Sequence, residues 1–177
     1  LDEAPGIAAF LTRADDRFVP LRGRIRLARE AGAHVFVSLH ADALEQGHAT
    51  GVSVYTLSQS GADYAAEEYA ARENRADVLA GADLAGRPDD VTSLLIDLAR
   101  RGTRAESEKL AGELVTALGA GQGLDLLDTR PHRKANLLVL RAPDLPSVLV
   151  ELGFLTSAED RARLRDPAWR ARVVEGL

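Results

Sequence analysis

Cysteine is absent from the 177 residues. Disulfides, thiol nucleophiles and cysteine-based zinc sites are therefore excluded together, while the redox compartment stays open. No apolar run approaches the roughly 18 residues of a membrane-spanning helix. An excess of positive charge is also missing. Lys and Arg number 22 against 27 Asp and Glu, a net charge of −5 with the signs interspersed, so bulk electrostatics gives no reason to expect nucleic acid. The sequence contains no His-Glu-x-x-His, phosphate loop or Gly-x-Gly-x-x-Gly, which excludes the helical zinc-protease motif and the common nucleotide-binding signatures. Ser53 stands where a nucleophile elbow would place its serine, but the closing glycine is missing and the segment falls mid-strand. Repeats and low-complexity tracts are absent. No signal peptide is visible either, and because residue 1 is a leucine the chain is expected to be cut from something longer.

What is present has ordinary globular composition, 46% hydrophobic and 28% charged, in a length that suits one domain with a sizeable core. Pro20 opens a helix over 19–32 that uses Leu21, Ile25 and Ala28 and stops at Gly32. Strands are expected at His34–His40 and Gly51–Leu57, with a polar loop over 41–50. From about Ser60 an Ala- and Glu-rich stretch with a 3.6-residue period predicts a helix to roughly Arg75, followed by a Gly/Asp/Pro-punctuated linker over 77–89. Asp90 reads as the N-cap of a helix with an apolar stripe at Val91, Leu94, Leu95 and Leu98, ended by Gly102; another helix is expected at about 104–119. Asn136–Arg141 and Ser147–Glu151 read as strands separated by turn residues. The stretch from Thr156 to Glu159 resembles a capping box, and Asp166-Pro167 opens a last helix. Strands alternating with helices indicate an α/β single domain, a mostly parallel or mixed sheet with helices on both faces. Residues 59–103 stand as a helical insertion between a strand and the helix that would normally follow it.

The chemistry-bearing residues lie at two strand ends. The run from Val35 to Ala43 (VFVSLHADA) delivers His40 directly before small and acidic residues, and the run from Val148 to Phe154 (VLVELGF) carries Glu151. The carboxyl end of a strand is where an α/β enzyme places ligands facing its crevice. One histidine and one glutamate so placed suggest metal-assisted hydrolysis with a general base. The ordinary alternatives are a hydrogen-bonded structural histidine and a glutamate neutralised by an arginine, since a carboxylate buried in an apolar strand needs compensation.

Several ordered motifs widen the pattern: Leu11-Thr12-Arg13, Asp16, Phe18, Leu21 and Arg24; then Phe36 to Ala43; Gly51 to Thr56; Ala135 to Leu140; and Pro146 to Phe154. Together they resemble, over nearly the whole chain, the zinc-dependent N-acetylmuramoyl-L-alanine amidases of the type 3 family, which are peptidoglycan hydrolases of the bacterial envelope. The resemblance implies a Zn2+ cofactor held by two histidines and a glutamate, with a further glutamate as catalytic base. His40 matches the second histidine ligand and Glu151 the catalytic glutamate. The first histidine belongs to an Asp-x-Gly-His-Gly-Gly type motif, with the ligand glutamate after it. Neither occurs here, so the first strand, first helix and two of the three ligands are expected to lie before Leu1. In division-associated members an extra helical segment covers the active site. The stretch from Ala71 to Asp77 resembles that segment, which makes Glu73 the expected blocking residue and the 90–101 stripe the expected contact for an activator protein. A periplasmic or extracellular location follows from the same resemblance.

His34 and His48 are expected at the surface. His132, with Arg133 and Lys134, either lines a groove for carboxylates of the glycan peptide or belongs to a solvated loop. Two competing functions remain, a degenerate module that binds glycan or a partner without zinc, and a different zinc hydrolase on a similar fold. A chain without its first strand would expose a sheet edge and apolar surface, so marginal stability or association is expected.

Overall fold

The computed structural model describes residues 5–43, 49–58, 64–79, 90–127 and 130–177; the side chains at 64, 65, 76–79 and 90–101 fall outside that description. Helix α1 spans Leu21–Glu30 behind Pro20. It closes with Gly32 at φ +67°, Gly32 N–H bonding to Arg29 O and Ala33 N–H to Ala28 O. That is a Schellman motif, which requires the left-handed conformation that glycine adopts without a Cβ penalty. Strand β1 is Phe36–Asp42, two residues later than expected at both ends, and β2 is Ser53–Leu57. Helix α2 covers Tyr64–Leu79 and α3 Asp90–Thr116, running on into a π-helical turn at Ala117–Gly121. Strand β3 is His132–Ala135, a 3-10 turn follows at Leu138–Leu140, and β4 is Ser147–Phe154. Helices α4, Ala158–Arg165, and α5, Pro167–Gly176, complete the chain.

The sheet order is β1-β4-β2-β3. β4 is parallel to β1 and antiparallel to β2, while β2 is parallel to β3, so the sheet is mixed. β4 is central and buried almost throughout, which explains why its sequence is a continuous apolar run rather than an alternation. Tyr55 and Leu149 face a core that includes Leu21 and Ile25 of α1 and Tyr69 of α2. Val54, Val148 and Val150 face the other way, onto Leu114 of α3 and Trp169 of α5. Helices therefore cover both faces, as expected. The exception is β1, where Val37 and Leu39 are 39% and 53% exposed on the α3 side.

Beyond the shifted strand ends, the structure departs from the sequence expectation at four further places. α2 continues past Arg75 to Leu79, into the segment expected to be linker; residues 80–89 lie outside the described set. Gly102 does not end a helix. It keeps a negative φ, and α3 passes through it, so the two expected helices are one. A helix-interior glycine costs about 1 kcal/mol relative to alanine, and the apolar contacts of Ala111, Leu114 and Leu118 further along outweigh that. The strand expected at Asn136–Arg141 is instead β3 at His132–Ala135. Beyond it the Asn74 side chain donates to Asn136 O and accepts from Leu138 N–H. This side chain replaces a neighbouring strand and lets the chain turn into a 3-10 coil that buries Val139 and Leu140. Finally, the cap of α4 is Ser157, not Thr156: its hydroxyl accepts from Asp160 N–H.

Candidate active site

β1 and β4 run side by side in a register that pairs His40 with Glu151. The sequence reading had these two residues at separate strand ends, and the sheet makes them neighbours. Beyond His40 the register shifts before Asp42 pairs with Phe154. This irregularity bends β1 and turns the Asp42 amide toward Glu151, whose Oε1 accepts it at 2.9 Å. Glu151 is fully buried, and its Oε2 accepts from the Tyr69 hydroxyl at 3.0 Å. Its carboxylate is thus held by backbone N–H and a phenol, not by the arginine that a structural ion pair would supply. Burial pushes its pKa up to about 7, against the lowering pull of the Tyr69 hydrogen bond and the His40 charge. A carboxyl poised near neutrality beside a strand-end histidine is the electrostatic profile of a general base.

His40 is held at both ring nitrogens. Nε2 lies 3.0 Å from Ser38 Oγ, and Nδ1 lies 3.2 Å from Glu73 Oε2. Burial alone would raise the Glu73 pKa, but the hydrogen bond and charge of His40, with Arg72 and Arg24, hold it below the usual carboxylate value. The expected blocking residue therefore sits on the expected ligand.

Two further contacts come from the same helix. Arg72 forms an ion pair with Asp42, and the Tyr69 ring stacks on Tyr55 with centroids 4.9 Å apart. Tyr69, Arg72 and Glu73 are spaced i, i+3 and i+4, so they share one face of α2. That face meets Glu151, Asp42 and His40 together. The sequence points to Glu73 but not to Tyr69, Arg72 or Asp42, because the Tyr-x-x-Arg-Glu spacing gives them a shared helical face without saying what that face meets.

The other histidines separate cleanly. His34 is exposed and His48 lies outside the described residues. His132 is half-buried in β3 rather than in a solvated loop. Its Nε2 lies 2.9 Å from Thr56 Oγ1, and burial with the nearby Lys134 charge lowers its pKa. Lys134 pairs with Glu108, and Arg133 lies over the Tyr55 ring, donating to its hydroxyl at 3.4 Å. The basic trio is thus engaged within the chain. The side chains of the 90–101 stripe, read as an activator contact, lie outside the described residues.

Whether these donors suit a metal is a question of number as well as type. His40 and Glu73 are zinc-type donors within reach of each other, but among the described residues no three His, Asp or Glu side chains are placed to hold one metal ion. His40 fits as one ligand; a closed site needs donors from beyond this set.

Comparison with known proteins places the chain in a family. A family model described as N-acetylmuramoyl-L-alanine amidase matches residues 2–177. The chain is 36% identical over 173 residues to the N-acetylmuramoyl-L-alanine amidase AmiA of Salmonella typhimurium, covering 97% of this chain and 59% of that protein. It is 35% identical over 176 residues to AmiC of Neisseria meningitidis serogroup B, covering 99% of this chain and 41% of that protein. Among solved structures, the catalytic domain of CwlV, an N-acetylmuramoyl-L-alanine amidase from Bacillus (Paenibacillus) polymyxa, superposes with a TM-score of 0.61 at 24% identity, covering 97% of this chain and 69% of that one. The chain thus spans less than two thirds of the length of these curated relatives. Matched over nearly its whole length, it belongs to the N-acetylmuramoyl-L-alanine amidase family.

Proposed function

We propose that the protein carrying this chain is a zinc-dependent peptidoglycan hydrolase of the cell envelope. It cuts the amide between N-acetylmuramic acid and the L-alanine of the stem peptide, and α2 holds it in an inactive state. The observation that carries the reading is the convergence of one helical face, Tyr69, Arg72 and Glu73, on Glu151, Asp42 and His40. His40 would be one ligand of the metal, with the remaining ligands outside the described residues. Zinc, when bound, would lower the pKa of a water and polarise the amide carbonyl. Glu151 accepts a proton from the attacking water and returns it to the departing amine nitrogen. The Asp42 amide orients its carboxylate, and the buried position keeps its basicity near neutrality.

In this state Glu73 occupies His40, and the Tyr69 hydroxyl occupies the oxygen of Glu151 that a water would use. An activator protein that removes α2, acting through the 90–101 segment, would free both at once. Such control suits cell-wall remodelling and daughter-cell separation.

The scarcity of donors among the described residues favours a second reading, a non-catalytic module that binds peptidoglycan or a partner. Zinc content and turnover of the full-length protein separate the two. About one zinc per chain is expected, with Glu73→Ala raising basal release of stem peptide severalfold and Glu151→Gln lowering it at least a hundredfold. Well below one zinc after loading would remove the enzyme reading. An unchanged rate in Glu73→Ala would remove the autoinhibitory one.

A further inference from the structure

Asp160 is a buried carboxylate that the proposed chemistry does not use. It is 1% exposed at the third residue of α4, and its donors come from three separate segments. Phe154 N–H donates to Oδ2 at 2.9 Å. Gly51 N–H reaches both oxygens at 3.2 Å, the Thr50 hydroxyl donates to Oδ1 at 2.7 Å, and Arg163 Nη1 to the same oxygen at 3.0 Å. Helix capping alone needs none of these bonds.

Each anchored backbone amide is a short step from Glu151. Phe154 ends β4 three residues after Glu151 and pairs with Asp42, the residue whose amide holds Glu151 Oε1. Gly51 leads into Ser53, which pairs with Glu151 from the other side. Between Glu151 and Phe154 stands Gly153 at φ +147°, where a Cβ would come within 3.0 Å of Asp160 Cβ and Cγ. The glycine lets β4 close onto the carboxylate. The carboxylate in turn fixes where the strands on either side of Glu151 sit.

We infer that Asp160 is a positioning residue for Glu151: through the Phe154 and Gly51 amides it sets the registers of β1 and β2 that aim the Glu151 carboxylate. The inference rests on the reading of Glu151 as the base. A displacement on the order of 1 Å at a reacting group can cost about a hundredfold in rate, so the effect belongs in kcat rather than in substrate binding.

The test is steady-state hydrolysis of labelled peptidoglycan by the zinc-loaded full-length protein, in wild-type and Glu73→Ala backgrounds, with folded fraction and zinc content measured for each variant. Asp160→Asn keeps an oxygen for Thr50, Arg163 and one of the two Gly51 contacts but turns an NH2 toward the Phe154 amide. It is expected to lower kcat about tenfold to a hundredfold with KM within about twofold. Thr50→Val removes the hydroxyl's bonds to Oδ1 and Arg163 while leaving the Phe154 and Gly51 amides their acceptor, and is expected to lower the melting temperature with kcat unchanged. Should Asp160→Asn fail to fold, Asp160→Glu keeps the charge while shifting the carboxylate by one methylene, and the same fall in kcat is expected. A folded Asp160→Asn or Asp160→Glu protein with kcat within twofold of wild type overturns the inference. Activity retained in Glu151→Gln would instead overturn the reading of the base, so the two failures are distinguishable.

Discussion

Glu151 gains its raised pKa from burial, and the sign of the consequence follows from linkage. Unfolded, the carboxyl titrates near 4.5; folded, it titrates near 7. Between those values the folded chain keeps a proton that the unfolded chain has lost. This group's contribution to stability is therefore full below about pH 4.5 and is lost as pH rises through 7. In metal-free protein, the melting temperature of Glu151→Gln minus that of wild type should be larger at pH 8 than at pH 5; an equal difference at both would count against a buried, titrating Glu151. Tyr69 makes a companion case. Tyr69→Phe deletes the donor to Glu151 while keeping the stack on Tyr55, so basal hydrolysis should rise severalfold, read by dye release from labelled peptidoglycan. His40 and Glu151 were legible because a polar residue ending an apolar run is conspicuous, and Glu73 because its surroundings resemble a known segment. Asp42, Tyr69, Arg72 and Asp160 were not. Their neighbours carry equally ordinary acidic, aromatic and basic residues, and only tertiary placement separates a buried partner from a solvated one.

At the scale of elements, α3 offers a direct check. Gly102 has a negative φ and open space where a Cβ would go, so Gly102→Ala should stabilise the protein by up to about 1 kcal/mol. A C-capping glycine with positive φ would give the opposite sign, and thermal unfolding distinguishes the two. The break expected there was a reasonable inference from glycine's usual place after a helix, overridden because Leu114 and Leu118 continue the buried side of the same helix. β3 failed for a different reason. Its apolar run, Leu137 to Leu140, is buried as a 3-10 coil, while the polar His132–Ala135 forms the ladder with β2. An apolar run reports burial and does not by itself report strand. β4 succeeded because a central strand covered on both faces leaves a long unbroken apolar segment, which few other environments produce.

At the scale of the whole molecule, β1 pairs with β4 on one side, and among the described strands no partner lies on the other. Val37 and Leu39 face outward beside that edge, with Val35 at 44% exposure just before it. Made alone, these 177 residues should self-associate; Val37→Thr with Leu39→Lys should shift sedimentation toward monomer, since charge on an edge opposes strand addition. A monomeric, cooperatively unfolding wild-type chain would contradict this. The face that Tyr69, Arg72 and Glu73 share on α2 has its own consequence for kinetics. If α2 is the inhibitory element proposed above, contacts placed on little more than one rigid helical turn would be made or lost as a set, and the site would behave as a two-position equilibrium rather than a graded one. Moving such an equilibrium from 1:99 to 99:1 takes a preference of about 10⁴-fold, roughly 5.5 kcal/mol, for the open form. On that reading glycan binding would compete in the same balance, because apparent affinity is the intrinsic affinity reduced by the open fraction. A weak KM measured on the resting protein would then gauge how firmly the helix is shut, and the true affinity of the groove would emerge only once the helix has been displaced.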